Sequence, residues 1–309
     1  MKRANLIASV ERYLALRRAL GFKLRNERWF LPSFVAFLEA HGTSVITTEL
    51  ALRWAQQPPS GTSYYWAKRL STVRCFAKYH HAFDPRTEVP PPDLIPLRGR
   101  CRQPYIYTDE EVALLMREAR GLPGAMRSES YATLIGLLAA TGMRVGEAIA
   151  LNDEDLDWRR SLLTVRHGKF EKSRHVPLHE STLTALRGYV AHRDRLCPHR
   201  RSRSFFVSGV GARIHLQNFH LVFLRLLRVS GLDTGPRRRP RIHDLRYAFA
   251  LKTLRDWYRS GIDAERRLPW LSTYLGHVSP AATYRYLTAT PELLALAGER
   301  LERAWEVRP

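Results

Sequence analysis

Six prolines, Pro85, Pro90, Pro91, Pro92, Pro96 and Pro104, interrupt an otherwise helix-patterned chain of 309 residues. Each fixes φ and lacks a backbone N–H, so neither a helix nor a central strand can run through the stretch. The chain must fold on either side of it. We expect a first domain at 1–84, an extended linker at 85–104 and a second domain at 105–309, both domains long enough to bury a core. Arg98, Arg100 and Arg102 are interleaved with the linker prolines and could lie along a phosphate backbone.

Upstream, Leu6, Ile7, Val10, Tyr13, Leu14 and Leu20 recur at spacings of three and four, which predicts an amphipathic helix over 3–20. The same periodicity predicts helices over 26–41, stopped by Gly42, after Thr47-Thr48, and over 62–81. The last of these sets Leu70, Val73 and Ala77 toward a core and leaves Lys68, Arg69, Arg74 and Lys78 mostly outside. We expect an all-α unit with those four cations on the outer faces of its 62–81 helix, which would be the one to enter a major groove if the partner is a nucleic acid.

Downstream, Thr108 and Glu111 form a capping box that opens a helix to about Arg120, and another covers 129–140. Two β-prone runs, Leu162–Arg166 and Arg174–Leu178, flank a glycine-containing turn and predict a hairpin. Helical patterns return near 181–195, 216–230, 243–260 and 291–305. The fold class is mainly α with a small β-hairpin or sheet, the second domain being α+β.

Fifty Lys+Arg against twenty-nine Asp+Glu give a formal charge of +21, spread over both halves, which points to a polyanionic partner. No apolar run is long enough to span a bilayer and no signal peptide is visible, so we expect a cytoplasmic, nucleoid-associated protein without a membrane partner. Cys75, Cys101 and Cys197 are odd in number and scattered, which argues against disulfides or a zinc site. We expect no metal and no cofactor: the sequence has neither a phosphate-binding GxxxxGK[ST] loop nor a clustered acidic set.

The residue types that handle phosphate are spaced along the second domain. Arg144 follows Gly142 at a helix start, where its planar fork can hold two phosphate oxygens and Glu147, one turn on, can orient it. His243 and Arg246 lie three apart on one helical face, after the basic run Arg237, Arg238, Arg239 and Arg241. Lys169 sits in the hairpin turn, with Lys172 as alternative. Leu275-Gly276-His277 precedes Tyr286 by a helical stretch in which Tyr284 is the rival tyrosine; about 200° of azimuth separates the two, so both cannot face one cleft.

Taken in order, Arg144, Lys169, His243, Arg246, His277 and Tyr286 resemble the active site of the tyrosine recombinase (phage integrase) family, of the two-domain Xer-like kind. The resemblance implies a helical, SAM-like core-binding domain ahead of the catalytic domain. It implies that Arg144 and Arg246 grip a scissile phosphate, with Glu147 in support. Lys169 would be the general acid, His243 the base, His277 a hydrogen-bond donor to the phosphate and Tyr286 the nucleophile. Double-stranded DNA is the implied substrate and partner, recombined through a Holliday junction by a homo-tetramer, or a hetero-tetramer with a related recombinase. In this family a helix beyond the nucleophile commonly docks on a neighbouring protomer; packing of the 291–305 helix against its own domain is equally compatible with the sequence. Integration, transposition and chromosome-dimer resolution remain open as settings. A type IB topoisomerase-like nicking and resealing enzyme, or a non-catalytic DNA-binding protein, are the alternatives. Tyr247 stands where the family often has histidine, and Phe170 where glycine is frequent.

Overall fold

The computed structural model describes residues 3–58, 61–96, 103–166, 173–235, 239–277, 279 and 281–287, with Ala295 and Gly298 beyond them. The chain divides into two compact units, Met1–Arg102 and Gln103–Pro309. Among the described residues, no helix is long and apolar enough to cross a membrane.

The first unit is built from α1 (Arg3–Ala19), α2 (Glu27–Ala40), α3 (Thr48–Gln56) and α4 (Ser63–His80). Side-chain oxygens of Thr47 and Thr62 accept the Leu50 and Tyr65 amides and so cap α3 and α4. Leu6, Val10, Phe34, Leu38, Trp54, Leu70, Val73 and Phe76 meet in its core.

Two of the expected nucleic-acid contacts on α4 are turned to structural use. Arg69 does not project outward: only 8% of it is exposed, its guanidinium lies 3.7 Å from the ring of the fully buried Trp54, and its Nη2 donates to the Trp54 carbonyl at 2.8 Å. That carbonyl belongs to the last turn of α3, the negative end of the helix, so a cation is favoured there beside the Gln57 amide it already accepts. Arg74 donates Nε and Nη2 to the Pro90 and Pro91 carbonyls at 2.8 and 2.7 Å. Lys68 and Lys78 stay exposed. The segment expected as an extended linker is also tied down over its first half. The Glu88 amide donates to the Ile46 carbonyl, the Glu88 carboxylate accepts the Thr48 amide, and Ile95 joins the core. Arg98, Arg100 and Arg102 lie outside the described residues.

The second unit runs α5 (Asp109–Arg120), α6 (Ala125–Thr141), α7 (Val145–Ala150), β1 (Leu156–Asp157), β2 (Leu162–Val165), β3 (Arg174–Pro177), α8 (Glu180–Leu196), α9 (Leu216–Val229), α10 (Ile242–Arg259), α11 (Ala264–Leu275) and α12 (Ala281–Leu287). The capping box of Thr108 and Glu111 opens α5, and the hairpin extends to a three-stranded antiparallel sheet in the order β1-β2-β3. Its register pairs Leu163 with Val176, both buried, and Val165 with Arg174. The mostly buried α6 runs through the main core. A satellite cluster joins Tyr247 and Leu254 of α10, Leu268, Leu271 and Leu275 of α11 and Tyr286 of α12. The 291–305 helix lies outside the described residues apart from Ala295 and Gly298.

Losing both the stacked cation and its hydrogen bond, an Arg69→Ala protein should be destabilised by about 2–3 kcal/mol in urea unfolding. Lys68→Ala, on the exposed face, should stay within about 0.5 kcal/mol of wild type.

Candidate active site

The six-residue stretch from Thr141 to Gly146 sets the first arginine. Gly142 ends α6 in the left-handed region (φ 60°), its amide bonded to the Leu138 carbonyl. A Cβ there would stand 2.6 Å from Phe249 Cδ1, so both backbone and space require glycine. The chain turns and Arg144 becomes the N-cap of α7. Its amide does not point outward to a ligand, as the helix start suggests, but donates to Glu147 Oε2 at 3.0 Å. Its guanidinium donates Nη1 to Glu147 Oε1 at 2.7 Å and Nη2 to the Gly276 carbonyl at 3.0 Å.

Glu147 holds a second arginine that the sequence reading passed over. Arg174, the first residue of β3, donates Nη1 and Nη2 to the two Glu147 oxygens at 3.1 and 2.7 Å, and Nε to the Tyr274 carbonyl at 2.8 Å. Burial alone would raise the Glu147 pKa, but the paired guanidiniums of Arg174 and then Arg144 outweigh it and hold the carboxyl at about 2. Arg174 was legible in principle: pairing with Val165 puts it on the core-facing side of its strand, where an arginine needs a partner.

Arg246, inside α10, is 2% exposed and donates Nη1 to the Gly142 carbonyl at 2.8 Å and Nη2 to the Leu275 carbonyl at 2.6 Å. Burial first, then repulsion from Arg144, brings its pKa down to about 10. His243, one turn earlier, reaches the surface. Loss of surrounding water, then the Arg246 charge, holds its ring below the ordinary histidine value.

The last turn of α11 closes the site. Gly276 adopts the left-handed conformation (φ 67°), and the Gly276 and His277 amides return to the Thr273 and Ser272 carbonyls, which fixes the backbone of His277. His277 Nδ1 lies 2.7 Å from the Thr283 hydroxyl and Nε2 lies 3.5 Å from the Tyr286 hydroxyl. Burial, followed by the charges of Arg246 and Arg144, pushes the His277 pKa down to about 4.

Of the two tyrosines, Tyr286 faces the cluster, 5% exposed and packed edge-on against Tyr247 with centroids 5.0 Å apart, whereas Tyr284 is 55% exposed. Five sequence-predicted residues, Arg144, Glu147, Arg246, His277 and Tyr286, therefore converge, with His243 one turn from Arg246 on α10. Lys169 and Lys172 lie outside the described residues, as do Arg237 and Arg238. Arg239 pairs with Asp233 and Arg241 with Asp244. Thr283 was also missed, although its place three residues before Tyr286 puts both on one helical face. In this cluster two guanidiniums share one carboxylate, a third is met by carbonyl oxygens, and the nearby histidines are held neutral at neutral pH. Three guanidiniums against one carboxylate leave these described residues formally two positive charges in excess.

A helical unit is followed by a mixed α and β unit in which arginines, histidines and an inward tyrosine gather at the end of α11. The chain belongs to the phage integrase family, which matches residues 106–292. It is 45% identical over 307 residues to the Sinorhizobium fredii protein y4rB, named as an integrase/recombinase, covering 97% of this chain and 98% of that one. A second protein of that organism, y4rE, likewise named, is 35% identical over 94% of each chain. The fold is shared with the Tn1549 transposon integrase in complex with transposon right-end DNA (TM-score 0.66, 17% identity, 96% of this chain and 98% of that one). It is shared also with XerA recombinase (TM-score 0.51, 23% identity, 99% of each). Family membership makes the chain a tyrosine recombinase, a DNA-cleaving and rejoining enzyme.

The unfolded Glu147 carboxyl takes up its proton near 4.5 and the folded one only near 2. Its contribution, about 3 kcal/mol, is thus whole above pH 4.5 and drains away as the pH falls toward 2. The stability gap between wild type and Glu147→Gln should shrink over that window in urea unfolding. For His277, NMR titration should give a midpoint near 4, rising when inorganic phosphate neutralises the guanidiniums beside it.

Proposed function

We propose that this chain is a site-specific DNA recombinase that cuts and rejoins strands through a covalent 3′-phosphotyrosine at Tyr286. The observation that carries the reading is the centre itself: a half-enclosed tyrosine hydroxyl beside a site with three guanidiniums and one carboxylate. Arg144 and Arg246 hold the non-bridging oxygens of the scissile phosphodiester, and Glu147 and Arg174 keep Arg144 in place. His243, neutral near pH 7, takes the proton of the Tyr286 hydroxyl as its oxygen bonds to phosphorus. The bond from phosphorus to the 5′-oxygen breaks, and Lys169 supplies the proton that makes the 5′-hydroxyl. His277 donates to a phosphate oxygen. Rejoining is the reverse, with the 5′-hydroxyl of the incoming strand as nucleophile. The phosphotyrosine keeps the energy of the broken bond, so no nucleotide is consumed. The guanidiniums supply the charge that a metal ion would otherwise bring, so the reaction is metal-independent.

The excess of positive charge over both halves suits a DNA partner. Lys68 and Lys78 on the exposed face of α4, Arg241 at the start of α10 and, from the sequence, Arg98, Arg100, Arg102, Arg237 and Arg238 are the proposed backbone contacts. Two protomers on each of two duplexes exchange strands through a four-way junction, as a tetramer.

A pool of nicked duplexes with randomised arms, incubated with the protein, should yield covalent adducts whose recovered DNA reports the target site. Tyr286→Phe should abolish the adduct while retaining DNA binding, and Tyr284→Phe should keep it; the opposite result would remove Tyr286 as nucleophile. Adduct yield should be unchanged in excess EDTA. Lys169→Ala should slow cleavage by roughly 10²- to 10⁴-fold. A bridging sulfur at the 5′ position should restore that rate, because a thiolate leaves without a proton. Lys172→Ala should do neither.

A further inference from the structure

The hydroxyl of Thr283 is 2.7 Å from His277 Nδ1, and the Thr283 residue is 1% exposed. On the other side of the same ring, Nε2 is 3.5 Å from the Tyr286 hydroxyl. Thr283 and Tyr286 are three residues apart on α12, one helical turn, so the tyrosine helix carries both the reactive hydroxyl and a hydroxyl that meets the far edge of the histidine. A neutral imidazole has one N–H, and a hydroxyl can donate or accept, so the direction assigned to the Thr283 contact fixes which nitrogen carries the proton. Of the two nitrogens, only Nε2 faces the tyrosine.

We propose that Thr283 is a positioning residue: its hydroxyl donates to His277 Nδ1 and so holds the ring as the Nε2–H tautomer, with that N–H aimed at the Tyr286 oxygen and at the phosphate oxygen beside it. The proposal rests on the reading of His277 as a phosphate donor. Its physical content is selection among states. Without Thr283 the neutral ring divides between two tautomers and can rotate about its bond to Cβ, and only one combination presents a donor to the phosphate. Because Thr283 sits on α12, the donor is set only when the tyrosine helix is seated. A helix displaced from the cleft leaves His277 unoriented as well as removing the tyrosine, so nucleophile and phosphate donor are withdrawn together. Burial of Thr283 and the fixed backbone of His277, whose amide returns to the Ser272 carbonyl at 2.9 Å, leave the pair little room to separate otherwise.

The tautomer is read without DNA, by nitrogen-15 NMR of the full-length protein labelled at histidine. Wild type should show His277 as Nε2–H, Thr283→Val a mixture of the two forms, and Thr283→Ser the wild-type spectrum. On a nicked duplex substrate, Thr283→Val, which keeps the shape of the side chain, should lower the cleavage rate on the order of tenfold, the equivalent of one hydrogen bond, with DNA affinity unchanged. Thr283→Ser should restore the rate. An Nδ1–H tautomer in the wild type, or a Thr283→Val protein that retains the wild-type tautomer or cleaves at the wild-type rate, would overturn the proposal. Absence of a covalent adduct with wild-type protein would instead count against the proposed function, and the NMR result on the Thr283 link would stand by itself.

Discussion

Three guanidiniums converge on three consecutive carbonyls. Arg174 donates to Tyr274, Arg246 to Leu275 and Arg144 to Gly276, so the last turn of α11 is held by arginines from β3, α10 and the start of α7. A helix end exposes carbonyls that have no partner within the helix and carries a partial negative charge, and both are met here by cations. The arrangement depends on the left-handed Gly276. A Cβ on that residue would come within 2.8 Å of the Arg174 guanidinium, so a side chain would strain the backbone and push away the arginine that braces Glu147. Residues far apart in sequence are therefore registered against one backbone turn, and His277 is the next residue along it.

This organisation solves an electrostatic problem and leaves another. Burying Arg246 is costly because its charge loses water and faces Arg144. Carbonyl oxygens satisfy its donors without neutralising it, and the single carboxylate of Glu147 is shared by two other guanidiniums. The site is thus preorganised but under-neutralised. Preorganised charge of this kind favours a state with additional negative charge on the ligand over one without, as required where charge accumulates on the oxygens of a phosphate under attack.

Much of this was legible in the sequence where one local rule governs. The Thr108 capping box, the caps at Thr47 and Thr62 and the hairpin pairing of Leu162–Val165 with Arg174–Pro177 follow from residue preference and periodicity. α11 was not singled out because Pro269 breaks its pattern, although Leu268, Leu271 and Leu275 keep a buried face. The two-residue β1 is too short for any period to register. At the site, Arg144, Glu147, Arg246, His277 and Tyr286 could be named from spacing and resemblance. Arg174 and Thr283 carry only weaker signals, a core-facing strand position and a shared helical face, because the partners that give them roles lie 27 and 6 residues away across the tertiary fold. Arg69 and Arg74 mark the opposite limit: a cation on a helix reads as a surface contact until a tryptophan or a proline carbonyl is placed beside it.

The placement of Tyr286 follows from the same dependence on tertiary contacts. A seven-residue helix such as α12 lacks the length to be stable alone, so its position is set by what it packs against. Here the anchor is the tyrosine itself, seated with Tyr247, Leu251 and Leu275 in the satellite cluster and stacked near His277 with ring centroids 5.8 Å apart. The tyrosine that resemblance makes the nucleophile is also a core residue of its own small unit. Its aromatic ring holds the helix in place while its hydroxyl stays directed at the histidine, and Tyr284, turned outward, can do neither. Tyr247, at the position where the resemblance leads one to expect histidine, forms the wall on which this ring packs.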